Sequence, residues 1–364
     1  MGSTAEALAR ATLLTREGRL REATELIQST LAGTAARPAR DPHQAAERAP
    51  DVSDVPFREL GTDAQRLGTP APAASGAREA SFTSHVFAHE GHRWRYRLYE
   101  PTRANPALLL PVVVMLHGCK QDAEDFARGT AMNEVAQGEG FLVLYPEQRR
   151  KSNQMGCWNW FEPQHQRRDG GEPGMIAALV RSVLSAHGGD PGRVYVAGLS
   201  AGGAMAATLA DQYPELFAAV GVHSGLPARA AHDMPSAFQA MRKANLRGSS
   251  RSTAAIPTVV FHGTADTTVA AGNGDAVIDR QLAAHRAAGV PLERRDVAVD
   301  GRGRAAARVQ WVDAGGQAVL EHWRVAGGPH AWSGGRAEGS FTDPRGPDAS
   351  RAMAEFFLRH RNAP

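Results

Sequence analysis

A serine set between glycines, a carboxylate after a later apolar run, and a histidine in a glycine-rich stretch nearer the C-terminus are the residues of this chain that could together run acyl transfer. The serine is Ser200. Residues 194–197 (VYVA) read as a short buried strand, Gly198 to Gly203 (GLSAGG) as a sharp turn, and residues 204–213 as the helix that follows. A serine at the apex of such a turn holds a strained backbone, and glycines two residues to either side let the chain fold back closely, so the hydroxyl stands exposed at a helix N-terminus. Unpaired N–H groups there favour a negatively charged intermediate. A serine hydroxyl is a poor nucleophile until a histidine takes its proton, and that histidine needs a carboxylate to set its tautomer. With the order serine, acid, histidine, the acid is Asp266, in the stretch HGTAD that follows the apolar run 258–261, and the base is His330, in the loop AGGPHAW after residues 322–325. Asp275, Asp279, Asp300, Asp313 and Asp343 fall on helices or polar loops, where a solvated carboxylate is the usual fate. Of the 14 histidines, His262 reads as a hydrogen-bonded neighbour of the acid's loop, His223 as a supporting group, and His285 and His322 as residues inside a helix and a strand.

Acyl transfer also needs N–H donors for the developing oxyanion. The residue after the serine, Ala201, supplies one, and the loop His117-Gly118-Cys119 supplies the other through the Cys119 N–H. The segment CWNWF, residues 157–161, is the strongest aromatic cluster of the chain and follows the strand beside that loop. Pockets are commonly aromatic, so Trp160 and Trp158, with His117 and Trp332, are the expected substrate contacts. A bridge between Cys119 and Cys157 is left open by the sequence; it would pin the aromatic segment to the oxyanion loop and would be unusual in a reducing cytoplasm.

These residues must be carried by a sheet. Residues 92–100 alternate Trp94, Tyr96 and Leu98 with Arg93, Arg95 and Arg97, as a half-buried strand does. The wholly apolar runs 112–116 and 141–145 suit central parallel strands, and helices are expected at 122–137 and at 173–187, the latter stopped by Gly188 and Gly189. Strands at 218–222, 258–261, 309–312 and 322–325, helices at 276–288 and 347–361, and an insertion at 227–255 continue the rhythm. Such a βαβ cadence predicts a mostly parallel central sheet with helices on both faces, and with the serine turn in its middle an α/β-hydrolase fold. Ahead of it, residues 1–32 read as a helical hairpin, with Leu20, Ala23, Ile27 and Leu31 in one stripe, and 33–81 as a partly disordered linker rich in Ala, Pro, Arg, Asp and Gly; 82–364 is then the catalytic domain.

With 364 residues the chain can bury a full core. Its formal charge of +3 arises from 41 Lys and Arg against 38 Asp and Glu spread along the chain, which gives no support to nucleic-acid binding. No stretch reaches the roughly 18 uninterrupted apolar residues of a spanning helix. Glu6, Arg10, Arg16 and Glu17 interrupt any apolar leader, so cytoplasmic residence is the default expectation. Two cysteines are too few for a disulfide scaffold and match no zinc spacing; no metal or organic cofactor is expected.

The motifs LHGC (116–119), CWNWF (157–161), GLSAGG (198–203), HGTAD (262–266) and GGPHAWSGG (327–335) together resemble the polyhydroxybutyrate depolymerase family of esterases, over about residues 82–361. The resemblance implies a triad of Ser200, Asp266 and His330 with Cys119 in the oxyanion loop, and a serine esterase cleaving short-chain hydroxyalkanoate esters, polymer or oligomer, through an acyl-enzyme. Feruloyl and carbohydrate acetyl esterases share the motif set. Secreted relatives usually carry a signal peptide and extra binding domains, and the helical N-terminus is like that of intracellular members. A different class of reading is a non-catalytic module on a hydrolase fold, its N-terminal hairpin recruiting a protein or a polymer granule.

Overall fold

The computed structural model describes residues 10, 14, 22, 26, 58–60, 79–105, 107–244, 254–299 and 303–362. The chain divides into two units, Met1–Phe57 and Arg58–Pro364. In the first, Arg10, Leu14, Glu22 and Leu26 are helical; the expected hairpin and its stripe otherwise lie outside the described residues, as does most of the expected linker. The second unit begins inside that linker, because β1 (Arg58–Leu60) pairs in parallel with β2 (Ser81–His89). The linker therefore does not run unbroken to residue 81.

From β2 the chain turns back into β3 (His92–Glu100), then runs through β4 (Leu110–Leu116), α1 (Ala123–Thr130), α2 (Met132–Glu139), β5 (Leu142–Pro146) and α3 (Gly171–His187) to β6 (Gly189–Leu199). There follow α4 (Ala201–Gln212), β7 (Ala219–His223), α5 (Met234–Arg242), β8 (Thr258–Gly263), α6 (Gly272–Ala287) and β9 (Glu293–Val297). Next come β10 (Ala306–Val312) and β11 (Ala318–Val325), then the short pair β12 (Trp332–Ser333) and β13 (Thr342–Asp343), and finally α7 (Ala349–Phe357). The main sheet of the described residues has the order β1-β2-β3-β5-β4-β6-β7-β8-β11-β10-β9. Its centre, from β5 to β11, is parallel; β3 against β5 and β10 against β11 are antiparallel.

Alternation along the central strands sends side chains to two cores. Val112, Val114, Val194, Val196 and Val222 meet Ile176 and Val180 of α3 and Met205 and Leu209 of α4 on one face. Val113, Met115, Tyr195 and Phe261 meet Phe126 of α1, Val135 of α2 and Met353 and Phe357 of α7 on the other. Both faces are covered, which is why these strands carry no polar face and read as unbroken apolar runs. This is the α/β-hydrolase architecture. No helix among the described residues is long and apolar enough to cross a membrane.

Some elements differ from their expectation. The single helix expected over 122–137 is two, because Ala131 turns left-handed at φ 52° while its N–H still bonds Ala127 O at 3.1 Å. The insertion 227–255 holds α5, started by Asp233, whose side chain accepts from Ser236 N in a capping box. Strand β9, sequence ERRDV, is not among the expected elements; it is an exposed edge strand, and charge on an edge blocks pairing with other chains.

Candidate active site

The parallel strands β6, β8 and β11 end on the same edge of the sheet, and the turn or loop after each carries one candidate residue. Ser200 follows β6 with φ 57° and ψ −118°, a conformation that L-residues rarely hold, and it is the N-cap residue of α4. Its N–H donates to His223 O at 2.9 Å, which fastens the turn to the end of β7. The turn sits hard against the loop after β4: a Cβ on Gly202 would stand 2.0 Å from Leu116 O and 2.6 Å from His117 O. Only glycine allows that approach. We expect Gly202→Ala to lower stability by about 3 kcal/mol or more, at the upper end of overpacking costs since the obstacle is backbone, and a thermal melt of the purified variant measures it.

Asp266 and His330 come together across the β8–β11 edge, with His330 Nδ1 2.7 Å from Asp266 Oδ2. Gly263 permits this, since a Cβ there would lie 2.2 Å from Gly328 O in the histidine's loop. The other carboxylate oxygen, Oδ1, accepts from Thr268 N at 2.9 Å and Val269 N at 2.8 Å. His262 Nε2 donates to Val269 O at 2.9 Å and stands 3.5 Å from Asp266 Oδ2, the neighbouring role expected of it. Burial works to raise the Asp266 carboxyl's pKa, but hydrogen bonds from His262, His330 and Val269 outweigh it and hold the group well below the ordinary carboxylate range. An ionised Asp266 can only accept, so His330 Nδ1 carries the proton and Nε2 is left as the acceptor. Of the competing acids, Asp300 lies outside the described residues, Asp343 bonds Arg304, and Asp275 bonds Arg324.

The loop after β4 is held from several sides. Gly118 N donates to Gln121 Oε1 at 2.9 Å, and Gln121 Nε2 donates in turn to Ser340 O at 3.0 Å. Cys119 forms a disulfide with Cys157, their Cα atoms 4.2 Å apart, so the bridge that the sequence left open is made. It sits poorly with a reducing cytoplasm.

The four expected substrate contacts are all buried in the structure. Trp158 is fully buried, its ring centroid 5.6 Å from that of His117. Trp332 donates its indole N–H to Ser350 Oγ at 3.0 Å and stacks on His223 at 4.9 Å. Trp160, 5% exposed, packs edge-on against Phe161. His117 is enclosed, and both its nitrogens are engaged by backbone atoms. Aromatic side chains are as much at home in a core as in a pocket, and here the sheet face claims them.

Sequence reasoning missed the polar network beneath them. Glu172, at the start of α3, accepts from Asn159 N at 2.8 Å, from Asn159 Nδ2 at 2.7 Å and from Gln148 Nε2. Burial pushes its carboxyl up to about 7 against the pull of those donors. His223 was read as a supporting group; its Nε2 accepts from Ser333 N at 2.9 Å, tying β7 to the segment just beyond His330.

Burial also holds several histidines neutral: His117, His165, His322 and His360 fall to about 4 and His223 to about 3. For each, the unfolded chain binds a proton that the folded chain refuses between that value and about 6.5, so their contribution to stability is present above about 6.5 and lost as pH falls. Glu172 acts in the opposite sense with one group. Unfolding at pH 5 should therefore take up protons on balance, and the melting temperature should fall steeply from pH 6.5 to 4.5; calorimetry in buffers of differing ionisation enthalpy reads the uptake.

Among known proteins, the chain is 40% identical over 131 residues to a poly(3-hydroxyalkanoate) depolymerase C of Paucimonas lemoignei, covering 36% of this chain and 31% of that one. It is 38% identical over 117 residues to a feruloyl esterase B of Thermothelomyces thermophilus, covering 32% and 39%. The matched stretch thus spans well under half of either relative. A solved acetyl xylan esterase from Aspergillus awamori superposes with a TM-score of 0.53 at 23% identity, over 65% of this chain and 89% of that one, a likeness of fold. The family described as esterase PHB depolymerase matches residues 94–290, a stretch that takes in Ser200 and Asp266 and stops short of His330. That match covers more than half of the 364 residues, and the chain belongs to this family.

Proposed function

We propose that this chain is a serine esterase that hydrolyses short-chain hydroxyalkanoate esters, poly(3-hydroxybutyrate) or its oligomers, through an acyl-enzyme. The observation that carries the proposal is the 2.7 Å contact of His330 Nδ1 with a buried Asp266, on the sheet edge where Ser200 tops its strained turn. His330 Nε2 takes the Ser200 proton as Oγ attacks the ester carbonyl. The N–H groups of Cys119 and Ala201 receive the oxyanion. Collapse expels the alcohol, which leaves with the proton held by His330, and a water then repeats the sequence on the acyl-enzyme to free the acid and Ser200. Every proton and bond in this cycle comes from the chain, the ester and water.

The hydroxyalkanoate substrate is supported by the name of the Paucimonas relative. The Thermothelomyces relative, matched almost as well, favours a feruloyl ester as the second reading. A panel of p-nitrophenyl esters, 3-hydroxybutyrate oligomers, amorphous polymer and methyl ferulate separates the two: the first reading expects the highest kcat/KM on the oligomers, and a preference for methyl ferulate overturns it. Labelling by a fluorophosphonate probe, lost in Ser200→Ala, distinguishes either from a non-catalytic module.

A further inference from the structure

The ring of His117 is buried, and each of its nitrogens faces a group whose role chemistry fixes. Gln148 N, an amide that can only donate, lies 3.1 Å from Nε2. Gly118 O, a carbonyl that can only accept, lies 2.8 Å from Nδ1. The Nδ1–H tautomer alone satisfies both. Burial keeps the ring neutral down to about 4, so this tautomer persists over the range in which esterases are assayed.

Gly118 C=O and Cys119 N–H belong to the same planar peptide unit, which is trans, as are all those described. In a trans unit the two groups point in opposite directions. Holding the carbonyl against His117 therefore turns the Cys119 N–H away from the ring. The preceding N–H, that of Gly118, is taken by Gln121 Oε1, and the Cys119 side chain is tied through its disulfide, so little rotation of this unit remains. On the other side of the loop lies the Ser200 turn, with Leu199 O 3.5 Å from where a Gly118 Cβ would be.

We propose that His117 is a positioning residue: its Nδ1–H, by holding Gly118 C=O, aims the Cys119 N–H at the oxyanion that forms on the Ser200-bound ester. This rests on the serine esterase reading above. Gln148, held in turn by Glu172, supplies the amide that selects the tautomer.

Two substitutions separate aiming from mere packing. In His117→Asn the side-chain amide can occupy the place of Nδ1 and donate to Gly118 O; in His117→Gln it reaches the place of Nε2 and leaves Gly118 O with only the longer bond from Gln121 N, 3.4 Å. Both forfeit part of the buried ring, so both should lower the melting temperature alike. With p-nitrophenyl butyrate, His117→Gln should lower kcat by ~10²-fold or more with KM within about twofold, the size of effect seen when one oxyanion donor is lost. His117→Asn should keep kcat within about tenfold of the parent. Equal kcat in the two variants, or a His117→Gln variant as fast as the parent, overturns the positioning role while Ser200-dependent turnover upholds the esterase reading. Turnover that survives Ser200→Ala overturns both. Should neither variant fold, long-range ¹⁵N–¹H correlation of the His117 ring in the unaltered protein at pH 7 decides: protonated Nδ1 is expected, and protonated Nε2 refutes the proposal.

Discussion

Ser200→Ala should lower kcat on p-nitrophenyl butyrate by ~10⁶-fold, the size of loss that follows removal of a triad serine, with the residue of catalysis coming from the oxyanion donors and binding. The fold should survive. The bond that fastens the turn is made by the Ser200 backbone, N–H to His223 O, and alanine keeps it. Alanine also meets the same positive φ with the same Cβ, so the strain neither rises nor falls. Circular dichroism and the melting temperature should therefore match those of the parent, with stopped-flow or overnight assays reading the rate. A well-folded Ser200→Ala within about a hundredfold of the parent would remove Ser200 from the chemistry.

Asp266→Asn should cost ~10⁴ in kcat, and the geometry says why the amide is worse than a neutral substitute. At the carboxylate, Oδ1 accepts from two backbone amides, Thr268 N and Val269 N. An asparagine must keep its oxygen there, because its NH₂ would face two donors. Its NH₂ then occupies the place of Oδ2 and points at His330 Nδ1, 2.7 Å away in the parent. A donor facing Nδ1 demands the tautomer with the proton on Nε2, which cannot accept from Ser200. A second consequence appears in acid. The Asp266 pKa is depressed in the folded chain, so the carboxylate's stabilisation is present above its unfolded value of about 3.9 and drains away as pH falls through the depressed one. Asp266→Asn should lack that acid-side component in a pH series of urea melts. An unchanged kcat would move the acid elsewhere.

Much of this architecture could be read from short-range pattern. The central strands are legible because two covered faces force runs such as VVVML at 112–116, and the serine turn because close backbone approach admits only small residues around it. The misreadings share a cause: the deciding partner is remote in sequence. Nothing local marks Ala131 as a helix break, since alanine favours the helix and tertiary packing imposes the left-handed turn. Glu172 resembles the solvated acids of its polar loop until Gln148 and Asn159 close over it. The cluster at 157–161 is apolar enough for either a cleft or a core, and only the depth of the sheet face beneath it decides.

If Ser200, Asp266 and His330 act as proposed above, the pairing of β11 with β8 has a consequence for how the protein acquires its chemistry during synthesis. His330 is carried to Asp266 by a strand that inserts between β8 and β10, after α6, β9 and β10 have been made. A nascent chain that has emerged as far as α6 holds Ser200 and Asp266 but has no proton acceptor to pair with them. Domains emerge from the ribosome N-terminal part first, at about 5–20 residues per second, so the nucleophile is built early and stays chemically idle for seconds. On that reading, hydrolytic competence is gained only once β11 has docked, and its onset reports that the segment after α6 is in place.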